Sequence, residues 1–246
     1  MRIFVAIDDS RQIDGAKAGQ TASILTKFIE ENGWGKCAIP SRHRLYSHPA
    51  TGCKKHNTAR SFAADIGEQY LGDFIDHACR LIIRTGASES NAGLAVAVPE
   101  LTENTDDLID YAYRAKEQIV SKAEALEFGK KPGIFLFELS GNGKGIIGAL
   151  AGAGLRITGN DGQFRGKLHI GTGEDYIATV EEIVNGSYVE QVKNMNFENI
   201  GADECVRMGE KVKIVLLDHK YTLMVFPTDI KTPKWQTSTT HMLRVF

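Results

Sequence analysis

The sequence predicts an α+β protein with a β-rich C-terminal part, and two patterns carry that expectation. Up to residue 154, apolar runs of strand length alternate with stretches of helical spacing; beyond Leu155, short strand-like runs between polar turns take over. The 25 glycines add a third observation, because they cluster into a few turns and so mark close backbone approaches rather than a flexible linker. Residues 2–7, rich in Ile, Val and Phe, read as a short buried strand ending at Asp8 and Asp9. Residues 17–32 carry Ala18, Ala22, Leu25, Phe28 and Ile29 at helical spacing, with Asn32-Gly33 as the stop. Residues 37–45 read as a second strand, 46–60 as a polar, basic loop, 61–66 as a further strand, and 72–84 as an amphipathic helix with Phe74, Ile75, Ala78, Cys79, Leu81 and Ile82 inward. Then come a strand at 94–98 closed by Pro99, one long helix over 105–128, and a strand at 133–139. The continuous run Ile134, Phe135, Leu136 and Phe137 suits a strand covered on both faces. A Gly-rich turn at 140–145 leads into a small-residue helix at 146–154, and a hairpin is expected from 211–217 and 221–226 around Asp218-His219-Lys220. Three regions follow: 1–90, N-terminal α/β; 91–166, containing the Gly-rich turn; and 167–246, β-rich.

Composition excludes several classes. The chain has 246 residues, ample for a hydrophobic core without a metal or disulfide staple. Its apolar runs are far shorter than the ~18 residues a membrane helix needs. The five apolar residues at 3–7 also fall short of the ~7–15 of a secretory h-region, so a cytoplasmic protein is expected. Cys37, Cys53, Cys79 and Cys205 stand alone, with no CxxC or CxxH pair, so they read as reduced thiols and not as zinc ligands. A net charge of −2 argues against a strongly basic nucleic-acid module but leaves room for a local patch. The His residues form no HxxxH or HExxH group, and no nucleophile elbow or kinase signature is present.

Three segments have the chemistry of a site. Asp8, Asp9 and, shortly after, Asp14 follow the first strand; carboxylates there suit Mg²⁺, which takes one or two protein oxygens and leaves the rest to phosphate. A solvated turn is the competing reading. The turn Ser140-Gly141-Asn142-Gly143-Lys144-Gly145 precedes a helix whose first amides can bind an anion, with Lys144 adding a point charge. It is not a Walker A loop, because Gly145 stands where Ser or Thr is required. A tight turn with close helix packing explains the glycines equally well. The loop with Lys54, Lys55, His56, Asn57 and Arg60 is a phosphate or nucleic-acid candidate, or simply a solvated surface loop.

The order of these segments carries a resemblance. Val5-Ala6-Ile7-Asp8-Asp9-Ser10 comes first, then Lys54-Lys55-His56-Asn57-Thr58-Ala59-Arg60, then Ser88-Glu89-Ser90-Asn91-Ala92-Gly93-Leu94, then Gly143-Lys144-Gly145-Ile146-Ile147-Gly148-Ala149-Leu150-Ala151-Gly152. Over roughly residues 1–160 this succession resembles the archaeal-type tRNA-isoleucine agmatidine synthetase family. Departures are visible: Ser10 stands for a Thr, Arg11-Gln12-Ile13 intervene before Asp14, Thr21 is the nearest match to a phosphate-accepting threonine, and Ala92 stands for a Pro. No CxxC ribbon follows, so a shortened relative without the family's OB-fold and zinc ribbon is expected.

The resemblance implies a kinase-like N-terminal region, a ferredoxin-like domain at 91–166, and use of ATP with Mg²⁺. It implies catalytic roles for Asp8, Asp9 and Asp14, with Asp8 and Asp9 on the metal. Lys54, His56, Asn57, Gly143, Lys144 and Gly145 would lie at the nucleotide, with Asp8 and Asp9 sharing a cleft with residues 54–57. The acceptor, a small molecule or RNA, is left open, as is a homodimer; no membrane partner is expected. The alternative is a non-catalytic nucleotide- or small-ligand-binding protein of the same fold.

Overall fold

The computed structural model describes residues 1–8, 18–48, 57–85, 91–164, 176–209, 212–229, 233–239 and 241–246. They form two compact units, Met1–Thr158 and Gly159–Phe246. No helix among the described residues is long and apolar enough to cross a membrane.

The first unit is built on an antiparallel sheet. Its elements are β1 (Arg2–Asp8), α1 (Ala18–Glu31), β2 (Gly35–Cys37), β3 (Ser41–Leu45), β4 (Asn57–Ile66), α2 (Leu71–Thr85), β5 (Gly93–Ala97), α3 (Asp106–Glu117), α4 (Lys122–Phe128), β6 (Ile134–Glu138) and α5 (Gly145–Ile157). The strands lie in the order β6-β5-β1-β4, and β3 and β2 both pair with β4, β3 along Asn57–Ser61 and β2 along Ala64–Ile66. β1 takes a central place because every residue from Ile3 to Asp8 is buried, which only cover on both faces allows. Ile3, Val5, Ile7, Phe62, Ala64, Leu94 and Val96 meet α1 and α2 on one face. On the other, Phe4, Ala6, Ala59, Ala63, Ala95 and Ala97 meet α3, α4 and α5. Five of those six are alanines, so that face is nearly flat.

α5 exploits the flatness. It is apolar around its whole circumference and almost entirely buried, as a helix without a polar stripe must be. Glycines let it sit close to both neighbours. A Cβ on Gly152 would lie 2.7 Å from the Ala59 Cβ and 3.2 Å from the Ala6 Cβ. One on Gly154 would lie 2.7 Å from the Ala112 Cβ of α3. Beneath the far end of the helix lies a polar pin. His43 Nε2 is 2.7 Å from both Ser41 Oγ and Ser61 Oγ, and Arg156 Nη1 donates to Ser41 Oγ at 3.2 Å. Arg156 and His43 are buried, and this mutual bonding is what makes their burial tolerable.

Three expectations need correction. The single helix over 105–128 is two helices: Gln118 adopts an extended conformation (φ −147°), and Ser121 restarts the helix by accepting the Glu124 N–H at 3.1 Å. The strand at 37–45 is likewise two, β2 and β3, with Pro40, which lacks an N–H for the ladder, between them. The apolar run at 133–139 is not a central strand. β6 pairs only with β5 among the described residues, and most of it is half-buried; the strand covered on both faces is β5, whose small Gly93-Leu94-Ala95-Val96-Ala97 is wholly buried.

The second unit is β-rich, as the sequence suggests: β7 (Gln163–Phe164), β8 (Ile177–Thr179), α6 (Val180–Gly186), β9 (Gln191–Asn194), β10 (Cys205–Arg207), β11 (Ile214–Leu217), β12 (Lys220–Pro227) and β13 (Trp235–Thr237). The order is β7-β11-β12-β13-β10-β8, with β9 parallel to β12. The expected hairpin is present, formed by Ile214–Leu217 and Lys220–Pro227, with Lys220 in the strand instead of the turn. Asp218 and His219 form its two-residue turn, both with positive φ (52° and 60°), the geometry that matches strand twist. Neither is glycine, and the turn is held by His219 N–H to Gly159 O, Asp218 N–H to Asn160 Oδ1 and the Lys193–Asp218 ion pair.

Gly152→Ala should lower the unfolding free energy of the first unit by about 1–3 kcal/mol, the usual cost of overpacking. Gly72→Ala in α2, where an added Cβ meets nothing within 4 Å, should be neutral or stabilise by up to about 1 kcal/mol. Urea unfolding of both variants checks this; equal midpoints would show that α5 does not sit at glycine distance.

Candidate functional site

Antiparallel pairing brings several chain segments to one end of the first unit's sheet: Asp8 ending β1, Leu45 ending β3, Asn57 starting β4, Gly93 starting β5 and Glu138 ending β6. Asp8 is only 7% exposed. By alternation it shares the face of Phe4 and Ala6, and it meets the first turn of α5. A Cβ on Gly148 would lie 1.9 Å from Asp8 Oδ2, so only glycine leaves room for the carboxylate there. The first turn of a helix carries the positive end of its dipole, and a carboxylate beside it gains about 0.3–2 kcal/mol.

The Gly-rich turn is clamped to the segment before β5. Asn142 N–H donates to Asn91 Oδ1 at 2.8 Å, and Ala92 N–H donates to Ser140 Oγ at 2.9 Å. A Cβ on Gly145 would lie 1.8 Å from Asn91 O, and one on Gly93 would lie 2.3 Å from the Gly145 carbonyl carbon. Gly143 has φ +72°, and its missing Cβ makes way for Glu138 and Lys122. Lys122 Nζ donates to Glu138 Oε2 at 2.6 Å and to Asn142 O at 3.0 Å. The amides of Asn142, Gly143, Lys144, Ile146 and Ile147 all donate to protein oxygens. Those amides close the turn and start the helix; they do not form an open anion cradle. The turn presents the side chains of Asn142 and Lys144 to solvent, and Lys144 carries its exposed charge.

Asn57 shares Asp8's sheet end and, by alternation with Ala59, its face. Its Nδ2 donates to Tyr46 O at 2.9 Å and its N–H to Ser47 Oγ at 3.1 Å, which ties the base of the β3–β4 hairpin. Asp9, Asp14, Lys54, Lys55 and His56 lie outside the described residues. Thr21 is buried within α1 and closed to a phosphate donor. Among the described residues no group of three or more His, Cys, Asp or Glu is placed to hold a metal ion. Asp8 alone suits Mg²⁺ as a ligand, since that ion needs only one or two carboxylates when phosphates complete its shell.

Two features escaped the sequence reading. Lys122 is one, and its approach to the Gly-rich turn is a long-range contact with no local signature. The other had a signal in plain view: no Asp or Glu occurs between Glu31 and Asp65, while Lys36, Arg42, Arg44, Lys54, Lys55 and Arg60 do. The net charge of the whole chain hides this stretch. In the fold it contains the β3–β4 hairpin, where Arg42 lies directly opposite Arg60 and Arg44 opposite Thr58. These arginines are half-buried and face away from Ser41 and His43. Like charges directly opposite each other oppose pairing, and Arg44 Nε is buried with no hydrogen-bond partner among the described residues. Tyr46 and His48 stack on the same hairpin, ring centroids 6.0 Å apart and 10° from parallel.

No protein-family model matches the chain, and no curated protein does. Solved structures do. The chain is 26% identical to a tRNA fluorescent labeling enzyme, with a TM-score of 0.53 over 63% of this chain and 36% of that one. It is also 26% identical to TiaS, an agmatidine synthetase acting on an isoleucine tRNA, in its complex with that tRNA, AMPCPP and agmatine, with a TM-score of 0.51 over 62% of this chain and 36% of TiaS. For the complex of TiaS with the same tRNA and ATP, the identity is again 26%, with a TM-score of 0.53 over 63% and 36%. The chain thus spans about a third of the length of the structures it matches. What is shared is a TiaS-like mixed α/β fold.

Two of the cysteines, Cys37 and Cys79, are held in the thiol form by their positions. Burial, followed by the nearby carboxylates of Glu30 and Asp65, pushes the Cys37 thiol from its ordinary 9.0 up to about 12. Burial and Asp76 raise Cys79 as well, partly offset by Arg80. Folding therefore holds the Cys37 proton more tightly than the unfolded chain does. Its contribution to stability is whole below about pH 9 and is lost as pH rises towards about 12. In native protein at pH 8, iodoacetamide should leave Cys37 unmodified, and denaturation should expose it; peptide mass spectrometry reads both. Rapid native labelling would contradict the burial.

Proposed function

We propose that the chain is an ATP-using protein of synthetase- or kinase-like type, with its nucleotide site at the Asp8 end of the first unit's sheet and RNA as its acceptor class. The observation that carries this is the likeness to TiaS structures holding ATP or AMPCPP together with tRNA. The strand order adds to it. The succession β1–α1–β3–β4–α2–β5, arranged β5-β1-β4-β3, fits a ferredoxin-like split βαβ plan. That plan would span residues 2–97.

The chemistry of the proposed site follows from its charges. Asp8 is a carboxylate and repels phosphate, so an ATP tail needs a cation between them. Asp8 and Asp9 would hold Mg²⁺, which neutralises phosphate charge, with Asp14 in the same catalytic group. Lys54, His56 and the exposed ammonium of Lys144 would face the phosphates, and Asn57 would close the cleft on the hairpin side. Gly143 and Gly145 would shape the turn that aims Lys144. Phosphoryl transfer asks for this kind of alignment and charge neutralisation rather than covalent chemistry. The acid-free hairpin favours RNA over a small acceptor, because a basic arm with stacked rings suits a phosphate backbone and unstacked bases. One observation supports the second reading, nucleotide binding without transfer: the amides of Asn142, Gly143 and Lys144 in the Gly-rich turn already donate to protein oxygens.

ATP with Mg²⁺ at a hundredfold excess over Kd should stabilise the protein by ~2.7 kcal/mol, a shift of several degrees in Tm. Asp8→Asn, which keeps the shape and removes the charge, should weaken ATP·Mg²⁺ binding at least tenfold by calorimetry while leaving the circular dichroism unchanged. No shift at millimolar ATP·Mg²⁺ would overturn the nucleotide site. Binding without ATP consumption, with RNA present, would select the second reading.

A single-stranded RNA oligonucleotide should bind with a steep salt dependence. Arg60→Gln and Lys54→Gln should each lower the slope of log K against log salt by about 1. Salt-independent binding, or none, would point to a small acceptor.

A further inference from the structure

We propose that β6 is a self-pairing edge, and that two copies of this chain join across it, antiparallel, about a two-fold axis at Leu136. The register of β6 on β5 settles which of its groups are spare. Val98 N–H donates to Gly133 O at 2.8 Å, and Leu139 N–H donates to Ala92 O at 2.9 Å. Between them the pairing runs without interruption from Ala97 opposite Ile134 to Gly93 opposite Glu138. Residues 133, 135, 137 and 139 therefore turn their N–H and C=O groups towards β5, and Ile134, Leu136 and Glu138 turn theirs away. Lys131 O takes the Ile134 N–H at 3.3 Å. Among the described residues no strand lies on that outer side.

The outward groups match themselves. With Leu136 opposite the partner's Leu136, each donates its N–H to the other's carbonyl. Glu138 N–H then donates to the carbonyl of the partner's Ile134, and the reverse, giving four bonds in all. The Ile134 N–H, already engaged, is not needed. A slip of one residue sets inward-pointing groups at the interface; a slip of two that sets Leu136 opposite the partner's Glu138 keeps four bonds but faces one pair of Phe rings instead of two. The same register sets Phe135 opposite the partner's Phe137 in the closely spaced, non-hydrogen-bonded position, twice over, where aromatic pairs contribute most. On the other face the two Leu136 side chains meet beside a shallow cleft lined by Ala123, Leu126, Gly129 and Lys130, where Leu126 is 41% exposed. Natural edges are usually blunted by Lys, Pro or a bulge within the strand. Ile134-Phe135-Leu136-Phe137 has none of these.

The test is sedimentation of the full chain over a concentration series, with amide hydrogen exchange followed in parallel. The expected result is a monomer–dimer equilibrium in which the Leu136 and Glu138 amides exchange more slowly as concentration rises. Leu136→Pro removes the two central donors and leaves the β5 ladder intact, because this N–H points outward; it should be monomeric with unchanged circular dichroism. If that variant does not fold, the concentration dependence of exchange in the unaltered chain decides. A monomer at every concentration would overturn the proposal, as would a dimer indifferent to Leu136→Pro. Leu136 protection that is constant with concentration would overturn it too, by showing that another segment of the same chain covers the edge.

Discussion

The distance between α5 and the sheet governs the first unit. A helix normally stands off a sheet by the thickness of two layers of side chains, but here the sheet offers Ala6, Ala59, Ala63, Ala95 and Ala97, and the helix offers Gly148 and Gly152. Close contact of this kind trades the burial of large side chains for many short-range dispersion contacts, and it tolerates no added methyl. The polar pin of Ser41, His43, Ser61 and Arg156 holds one end of the helix, and the clamp between residues 91–93 and 140–145 holds the other. Between those fixed ends α5 can neither slide nor roll.

That seating also explains why Asp8 is where it is. A buried carboxylate is costly unless its charge is answered. The first turn of α5 approaches Asp8 only because Gly148 has no side chain, so packing and electrostatics are one constraint. The proposed site inherits a geometry in which a negative group is held rigidly at a strand end, next to an exposed Lys144 and across from the hairpin base at Asn57. Under the proposed function such a site would take a cation first and phosphate second. The glycines of the turn fix the helix, and the Gly143 amide donates to Ser140 O.

Much of the fold was legible because it is written locally. β1, α1, α2, β5, the small-residue helix and the hairpin at Asp218-His219 all follow from spacing and turn chemistry. The errors share one cause, which is that pattern does not report neighbours. Ile134-Phe135-Leu136-Phe137 has the composition of a central strand, yet its position in the sheet depends on which strand β5 recruits. The break at residues 118–121 is visible only when Ser121 is seen capping Glu124, since Lys, Glu and Ala on either side favour helix equally. For the site, Asp8, Asn57 and residues 143–145 were picked out by chain order, and the fold brings Asp8, Asn57 and the Gly-rich turn to one sheet end. Lys122 could not be found from sequence, whereas the acid-free stretch from 32 to 64 could have been, had charge been counted in windows rather than over the whole chain.

Paramagnetic broadening by Mn²⁺·ATP measures directly whether nucleotide binds where Asp8 meets α5, because Mn²⁺ substitutes for Mg²⁺ and bleaches nearby amide signals. Loss of the signals of Asp8, Gly93 and Gly145–Gly148, with those of Gly35 and Ile66 at the opposite end of the first unit's sheet far less affected, is the result predicted. Broadening centred elsewhere, or none at saturating Mn²⁺·ATP, would contradict it.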